Sequence, residues 1–149
     1  MSVIAGKHII IECEGEHAHL SEQDLESILS RAADAAGASI LASHFHRFGP
    51  RQGVTGVLVL AESHITVHTW PEYNYAAFDV FMCGVCEPDR AVEIIITAAK
   101  TIKVKTNTII RGTPTTIGET NTLSTGLPIP EYLQTNANQE HRLNEQEQL

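Results

Sequence analysis

Apolar and polar positions along the chain fall into eight segments. Lys7–Cys13 (KHIIIEC) holds a run of isoleucines between polar residues and predicts a buried strand. In the next stretch Leu25, Ile28, Leu29, Ala32, Ala33 and Ala36 recur at helical spacing. Ser21 with Asp24 resembles a capping box and Gly37 is a natural stop, so Glu22–Ala36 is an amphipathic helix. Four strand-like segments follow in quick succession: Ser39–Phe48, Gly53–Leu60, His64–Trp70 and Tyr75–Met82. Breaks fall at Gly49-Pro50, Glu62-Ser63 and Pro71, too close together for crossover helices, so these neighbours pair antiparallel. Pro88 opens a second helix, Pro88–Lys100, and Lys103–Ile110 is a last strand.

The resulting order is β-α-β-β-β-β-α-β. Two helices cover only one face of such a sheet. The expected fold is α+β, a two-layer sandwich of a mainly antiparallel sheet with both helices on one face. The bare face needs a partner, and a second copy of the chain is the simplest one.

Composition narrows the picture. The 149 residues suit one domain, residues 1–112, followed by a Thr-, Gly-, Pro- and then Asn/Gln/Glu-rich extension, 113–149, expected to be partly disordered. Eighteen acidic against ten basic residues give a formal charge of -8, which argues against nucleic acid or an anionic membrane as the main partner. No apolar run approaches the ~18 residues of a membrane span and no signal-peptide pattern is present, which predicts a cytoplasmic protein. Three cysteines are too few for a secreted disulfide framework.

Eight histidines invite a metal reading. His64 and His68 lie on a strand sequence, however, and four residues of strand hold them ~13 Å apart. His17-x-His19 and His44-x-His46 lack obvious further ligands, and no metal is expected. Cys83-Gly-Val-Cys86 is a lone C-x-x-C: half a zinc site, a redox pair, or a single thiol placed to move a proton. Phosphate-loop, dinucleotide and hydrolase-elbow motifs are absent from the sequence. The densest run of unusual residues is Ala61–Gly84, which a bland hairpin does not require; it marks an active-site hairpin.

That run, AESHITVHTWPEYNYAAFDVFMCG, closely resembles the core motif of prokaryotic S-adenosylmethionine decarboxylase proenzymes. The resemblance extends from about Lys7 to Gly112 and includes Gly6–His8, Gly37 with its flanking alanines, Phe45–Phe48 and Arg111-Gly112. It implies self-cleavage between Glu62 and Ser63. The Ser63 hydroxyl attacks the Glu62 carbonyl, the resulting ester is eliminated, and residue 63 becomes a covalent pyruvoyl group. That group replaces PLP: it forms a Schiff base with the substrate amine and accepts electrons as CO₂ leaves. By the same resemblance His68 serves processing, Thr55 stands where the family usually has Ser, and Cys83 is the proton donor. Glu72 matches a carboxylate that holds ribose hydroxyls, with Trp70 and Phe48 as adenine or sulfonium neighbours. Core filling is the alternative for Trp70. The family forms homodimers through face-to-face sheets with sites near the interface.

The sequence also departs from the family pattern. Phe48–Gly53 is one residue longer than usual, with Arg51 new there, and Met82 replaces a Thr. These changes spare Ser63, His68 and Cys83 and bear on the substrate. S-adenosylmethionine is the leading expectation, within polyamine (spermidine) synthesis. L-arginine or L-ornithine is the alternative, with Glu12, Glu14 and Glu16 available to meet a cationic side chain. A non-processing regulatory homologue is the alternative of another class.

Overall fold

Residues 6–112, which a computed structural model of the protein describes, form six strands and two helices. The expected extension 113–149 lies outside the described residues. The elements are β1 (Gly6–Gly15), α1 (Glu22–Ala36), β2 (Ile40–Arg47), β3 (Val54–Leu60), β4 (Ser63–Trp70), β5 (Tyr75–Cys83), α2 (Pro88–Thr97) and β6 (Thr101–Arg111). Short 3-10 turns occupy Glu16–His19 and Pro71–Tyr73. The sheet runs β2-β3-β4-β5-β1-β6, and every neighbouring pair is antiparallel. Both helices pack on one face, as the α+β two-layer reading requires.

The first helix starts and stops where its sequence says. The Asp24 amide donates to the Ser21 hydroxyl at 3.1 Å, and Gly37 adopts a left-handed φ of 78° while donating back into the last turn. Its apolar stripe, Leu25, Leu29, Ala32 and Ala33, is fully buried against Ile11, Leu58, Ile65, Val67 and Val80 of the sheet. Each such aliphatic side chain contributes about 1.5–3 kcal/mol by leaving water. The second helix ends at Thr97 rather than at the expected Lys100. Thr97 Oγ1 donates back to the Glu93 carbonyl, and the Lys100 carbonyl instead accepts from the Glu16 amide at 2.9 Å, which turns the chain into β6.

One histidine belongs to the core. His17 is fully buried, with Nε2 2.6 Å from the Ile95 carbonyl and Nδ1 3.5 Å from Cys13 Sγ. A carbonyl only accepts, so Nε2 carries the proton and Nδ1 accepts from the thiol. Burial pushes the Cys13 thiol above its usual range, which keeps it protonated for that role. The pair ties β1 to α2.

Strand alternation leaves the other face of the sheet without helices. On β5, Ala76, Phe78, Val80 and Met82 lie under the helices, whereas Tyr75, Ala77, Asp79, Phe81 and Cys83 take the open face. On β4 the open-face positions are His64, Thr66, His68 and Trp70. His64, His68, Trp70, Phe81 and Cys83 therefore share the open face, whereas Ser63, opposite Leu60 and one residue before His64, falls on the helix side of the alternation.

Candidate active site

The β3–β4 connection is a tight turn with Leu60 opposite Ser63. Only Ala61 and Glu62 lie between them, and Glu62 is held at a left-handed φ of 58°. A non-glycine residue in that region costs on the order of 1 kcal/mol. The strained residue is thus the one whose carbonyl precedes Ser63. Cys83, at the end of β5, places Sγ 3.3 Å from that carbonyl oxygen and 3.9 Å from the Glu62 carboxylate. Ser63 Oγ is shielded from solvent and has no hydrogen-bond partner among the described residues. A buried hydroxyl without a partner is costly and uncommon; Thr66 Oγ1 and His8 Nε2 share that condition, and only Ser63 lies next to the strained turn.

Around this turn lies a cavity of ≈560 Å³ lined by Glu62, His64, Phe81, Cys83 and Arg111. Burial, reinforced by neighbouring His8, lowers the His64 pKa and favours the neutral ring. His8 Nε2 is 3.6 Å from an Asp79 oxygen. Donor atoms of His8, His64 and Asp79 all lie within 4.8 Å of one another, a set of metal-ligating type. Sequence spacing could not show this group, because its members come from β1, β4 and β5.

The remaining predicted residues assemble at the opposite end of the same strands. Thr55 and His68 face each other across β3 and β4, with Oγ1 3.1 Å from Nδ1. Trp70 stacks on Tyr75 with ring centroids 5.3 Å apart, and His68 lies 6.1 Å from Trp70. The Tyr75 hydroxyl donates to Glu12, and burial together with this carboxylate pushes the phenol up to about 12. A second cavity, of ≈610 Å³, is lined by Phe48, Arg51, Thr55, His68, Trp70 and Glu72. Trp70 is 38% exposed and Phe48 61%, so neither fills the core. The loop before β3 is closed by the Phe48 amide donating to the Gly53 carbonyl. Arg47 braces it from the helix side through Glu22 and the Gln52 and Leu20 carbonyls.

Seven of the eight predicted residues therefore cluster as two groups that also differ in what they offer, and the eighth, Phe48, closes the second group's rim. Glu62, Ser63 and Cys83 form the turn end. Thr55, His68, Trp70 and Glu72 form the loop end. Five residues of β4 separate Ser63 from His68, or ~16 Å along the strand. One copy of the chain does not bring them together.

Two sequence expectations resolve here. Glu12 accepts from Tyr75, Glu14 pairs with Lys103 at 3.8 Å and Glu16 accepts from the Lys100 amide. Each acid thus has a partner within the chain, and the cavity that Glu12 and Glu14 line is already lined by Lys103 and Lys105 as well. The two thiols of the C-x-x-C have separate partners: Cys83 faces Glu62, and Cys86 lies 3.7 Å from the Gly37 carbonyl. Phe81 and Arg111 were not singled out as site residues. Alternation back from Cys83 places Phe81 on the same face, but only the β1–β6 pairing brings Arg111 beside it.

Residues 7–112 match the sequence model of the family described as S-adenosylmethionine decarboxylase. The S-adenosylmethionine decarboxylase proenzyme of Methanococcus vannielii is 48% identical over 110 residues, covering 72% of this chain and 89% of that protein. The proenzyme of that name from Prochlorococcus marinus is 42% identical over 115 residues, 75% of this chain and 93% of its own. The crystal structure of the adenosylmethionine decarboxylase from Aquifex aeolicus superposes with a TM-score of 0.66 at 30% identity, covering 83% of this chain and all of that one. The chain belongs to the S-adenosylmethionine decarboxylase family.

Proposed function

We propose that the protein is the precursor of a pyruvoyl-dependent S-adenosylmethionine decarboxylase, that it cleaves itself between Glu62 and Ser63, and that its active site forms between two copies. The observation that carries this reading is the turn end: a strained Glu62, an unpartnered Ser63 hydroxyl and a cysteine 3.3 Å from the carbonyl at the proposed scissile bond.

Ser63 Oγ adds to the Glu62 carbonyl carbon, and the C–N bond gives way to a C–O ester. Proximity makes this attack effectively unimolecular. The left-handed geometry of Glu62 is relieved once the peptide bond is broken, which favours the forward direction. Removal of the Cα proton of residue 63 then expels the Glu62 carboxylate, and hydrolysis of the dehydroalanine leaves a pyruvoyl group and ammonia. The base for that proton is His68, polarised by its contact with Thr55.

His68 lies ~16 Å from Ser63 in its own chain, so the base must come from elsewhere. A two-fold axis perpendicular to the strands, with open faces together, sets the turn end of one copy against the loop end of the other. This dimer covers the bare face and completes two equivalent sites. Glu72 then accepts hydrogen bonds from ribose hydroxyls, and Trp70 and Phe48 supply flat apolar surfaces to the adenine and the sulfonium.

The pyruvoyl group supplies the electron sink that decarboxylation needs. The chain's own residues do the rest. Cys83 delivers a proton to the substrate carbon that lost CO₂, from the strand end beside residue 63. No step calls on PLP or a metal ion. With Glu12, Glu14 and Glu16 partnered within the chain, these three acids give arginine or ornithine no advantage over S-adenosylmethionine.

Intact mass spectrometry tests the reading. Cleavage after Glu62 gives fragments of 62 and 87 residues, the larger blocked by a carbonyl group. Release of CO₂ from carboxyl-labelled S-adenosylmethionine should accompany it. A chain that stays whole under all conditions would contradict the proposal.

A further inference from the structure

The turn-end cavity holds one Lys or Arg side chain among its lining residues, Arg111, at the end of β6. Its guanidinium lies over the Phe81 ring, 5.6 Å from the centroid. Among the described residues no carboxylate lies within ion-pairing distance of it. An Arg that carries five donors, forms no ion pair and rests on a fixed aromatic surface is prepared to take a planar anion.

The surface is fixed on several sides. Phe81 meets the edge of His8 at 5.6 Å and tilts against His64 at 5.5 Å. Its ring also lies over Gly6, where a Cβ would come within 2.5 Å of it. The ring thus has little freedom to carry Arg111 elsewhere, and Gly6, the residue paired with Arg111 across β1 and β6, is the position that makes room for it.

The proposed substrate needs such a group. An α-amino acid joined through its nitrogen to residue 63 carries its carboxylate only two bonds from that nitrogen, and the residues on either side of 63, Glu62 and His64, line the cavity that holds Arg111. We infer that Arg111 binds the substrate's α-carboxylate and so orients the bond to be broken; this rests on the decarboxylase reading above. The contact is to a group that departs as neutral CO₂. It weakens as the reaction proceeds, so it favours bound substrate over the transition state, and its removal raises KM without lowering kcat. A rival anion is Glu62, whose side chain lines the same cavity and which gains a free carboxylate on cleavage. If Glu62 were the partner, loss of Arg111 would affect ligands with and without a carboxylate alike.

The test uses the full, self-cleaved protein as wild type, Arg111→Met, which keeps an unbranched stem on Phe81, and Arg111→Lys. Intact mass should show wild-type cleavage in both variants. In Arg111→Met the KM for S-adenosylmethionine should rise about 10- to 100-fold, the range of a charged hydrogen-bonded contact, with kcat within about threefold. The calorimetric Kd of the decarboxylated amine product, which lacks the carboxylate, should stay within about threefold of wild type. Arg111→Lys should fall between, because it keeps charge but loses the fork. An unchanged KM, an equal loss for substrate and amine, or failure of both variants to cleave would overturn the assignment. Wild-type protein that cleaves but releases no CO₂ from S-adenosylmethionine overturns the functional reading itself, and is seen before any variant is compared.

Discussion

The two ends of the central hairpin are built from the same strands yet offer opposite halves of a chemistry. Under the proposed function the turn end supplies an electrophile and its nucleophile, Glu62 and Ser63, with the Cys83 thiol 3.3 Å from the Glu62 carbonyl. It has backbone strain and an unpartnered hydroxyl. The loop end holds the imidazole of His68, paired with Thr55, together with stacked aromatic rings and an open rim. It too carries a left-handed non-glycine residue, Arg51 at a φ of 60°, but its His68 and Trp70 side chains have partners within the chain. Under the proposed function, the turn end is where a bond is broken and the loop end is where the ligand is held. In the proposed mechanism neither end suffices alone, because the ~16 Å between Ser63 and His68 is too far for proton transfer.

Removing the nucleophile should break the comparison most completely. Ser63→Ala is expected to abolish cleavage, leaving one full-length mass and no carbonyl. A cleaved Ser63→Ala product would remove Ser63 from the account.

Cys83→Ala should separate processing from turnover. Cleavage should persist, while CO₂ release falls about 100- to 1000-fold, within the usual contribution of a positioned proton donor. Misprotonated product and loss of activity with turnover should appear in the reaction mass spectra. Wild-type turnover would exclude the thiol.

Glu72→Gln probes the loop end as a holding surface. KM for S-adenosylmethionine should rise about 10-fold with kcat little changed, since a charged acceptor to hydroxyl groups is lost. A kcat defect with unchanged KM would place Glu72 in the chemistry instead.

The smallest effect concerns the strain itself. In the Ser63→Ala background, Glu62→Gly should stabilise the precursor by up to about 1 kcal/mol, because glycine adopts a φ of 58° freely. That corresponds to a rise in Tm of about 4 °C for a domain near this size. A lower Tm would mean that the Glu62 side chain contributes more than its backbone costs.

Much of the architecture was legible in the chain. The cap pair Ser21 and Asp24, the stripe from Leu25 to Ala36 and the Gly37 stop define the first helix to the residue. Alternating burial from Tyr75 to Cys83 was equally readable, because a two-sided sheet imposes it. The second helix was overread by three residues, since its end depends on the Lys100 carbonyl serving Glu16, a contact 84 residues away in sequence. The insertion of β1 between β5 and β6 was not visible either, and with it went His8 beside His64 and Arg111 beside Phe81. The division of the site, by contrast, follows from arithmetic on the sequence. The rise per residue that separates His64 from His68 also separates Ser63 from His68.

The most direct test of a site shared between copies is complementation of two inactive chains. Ser63→Ala and His68→Ala variants, differently tagged, are produced separately and together, and each chain is weighed intact. The account predicts no cleavage in either alone. In the mixture about half of the His68→Ala chains should be cut, because random pairing gives half of them a partner with an intact His68. Cleavage of His68→Ala by itself, or an uncut mixture, would contradict the shared site.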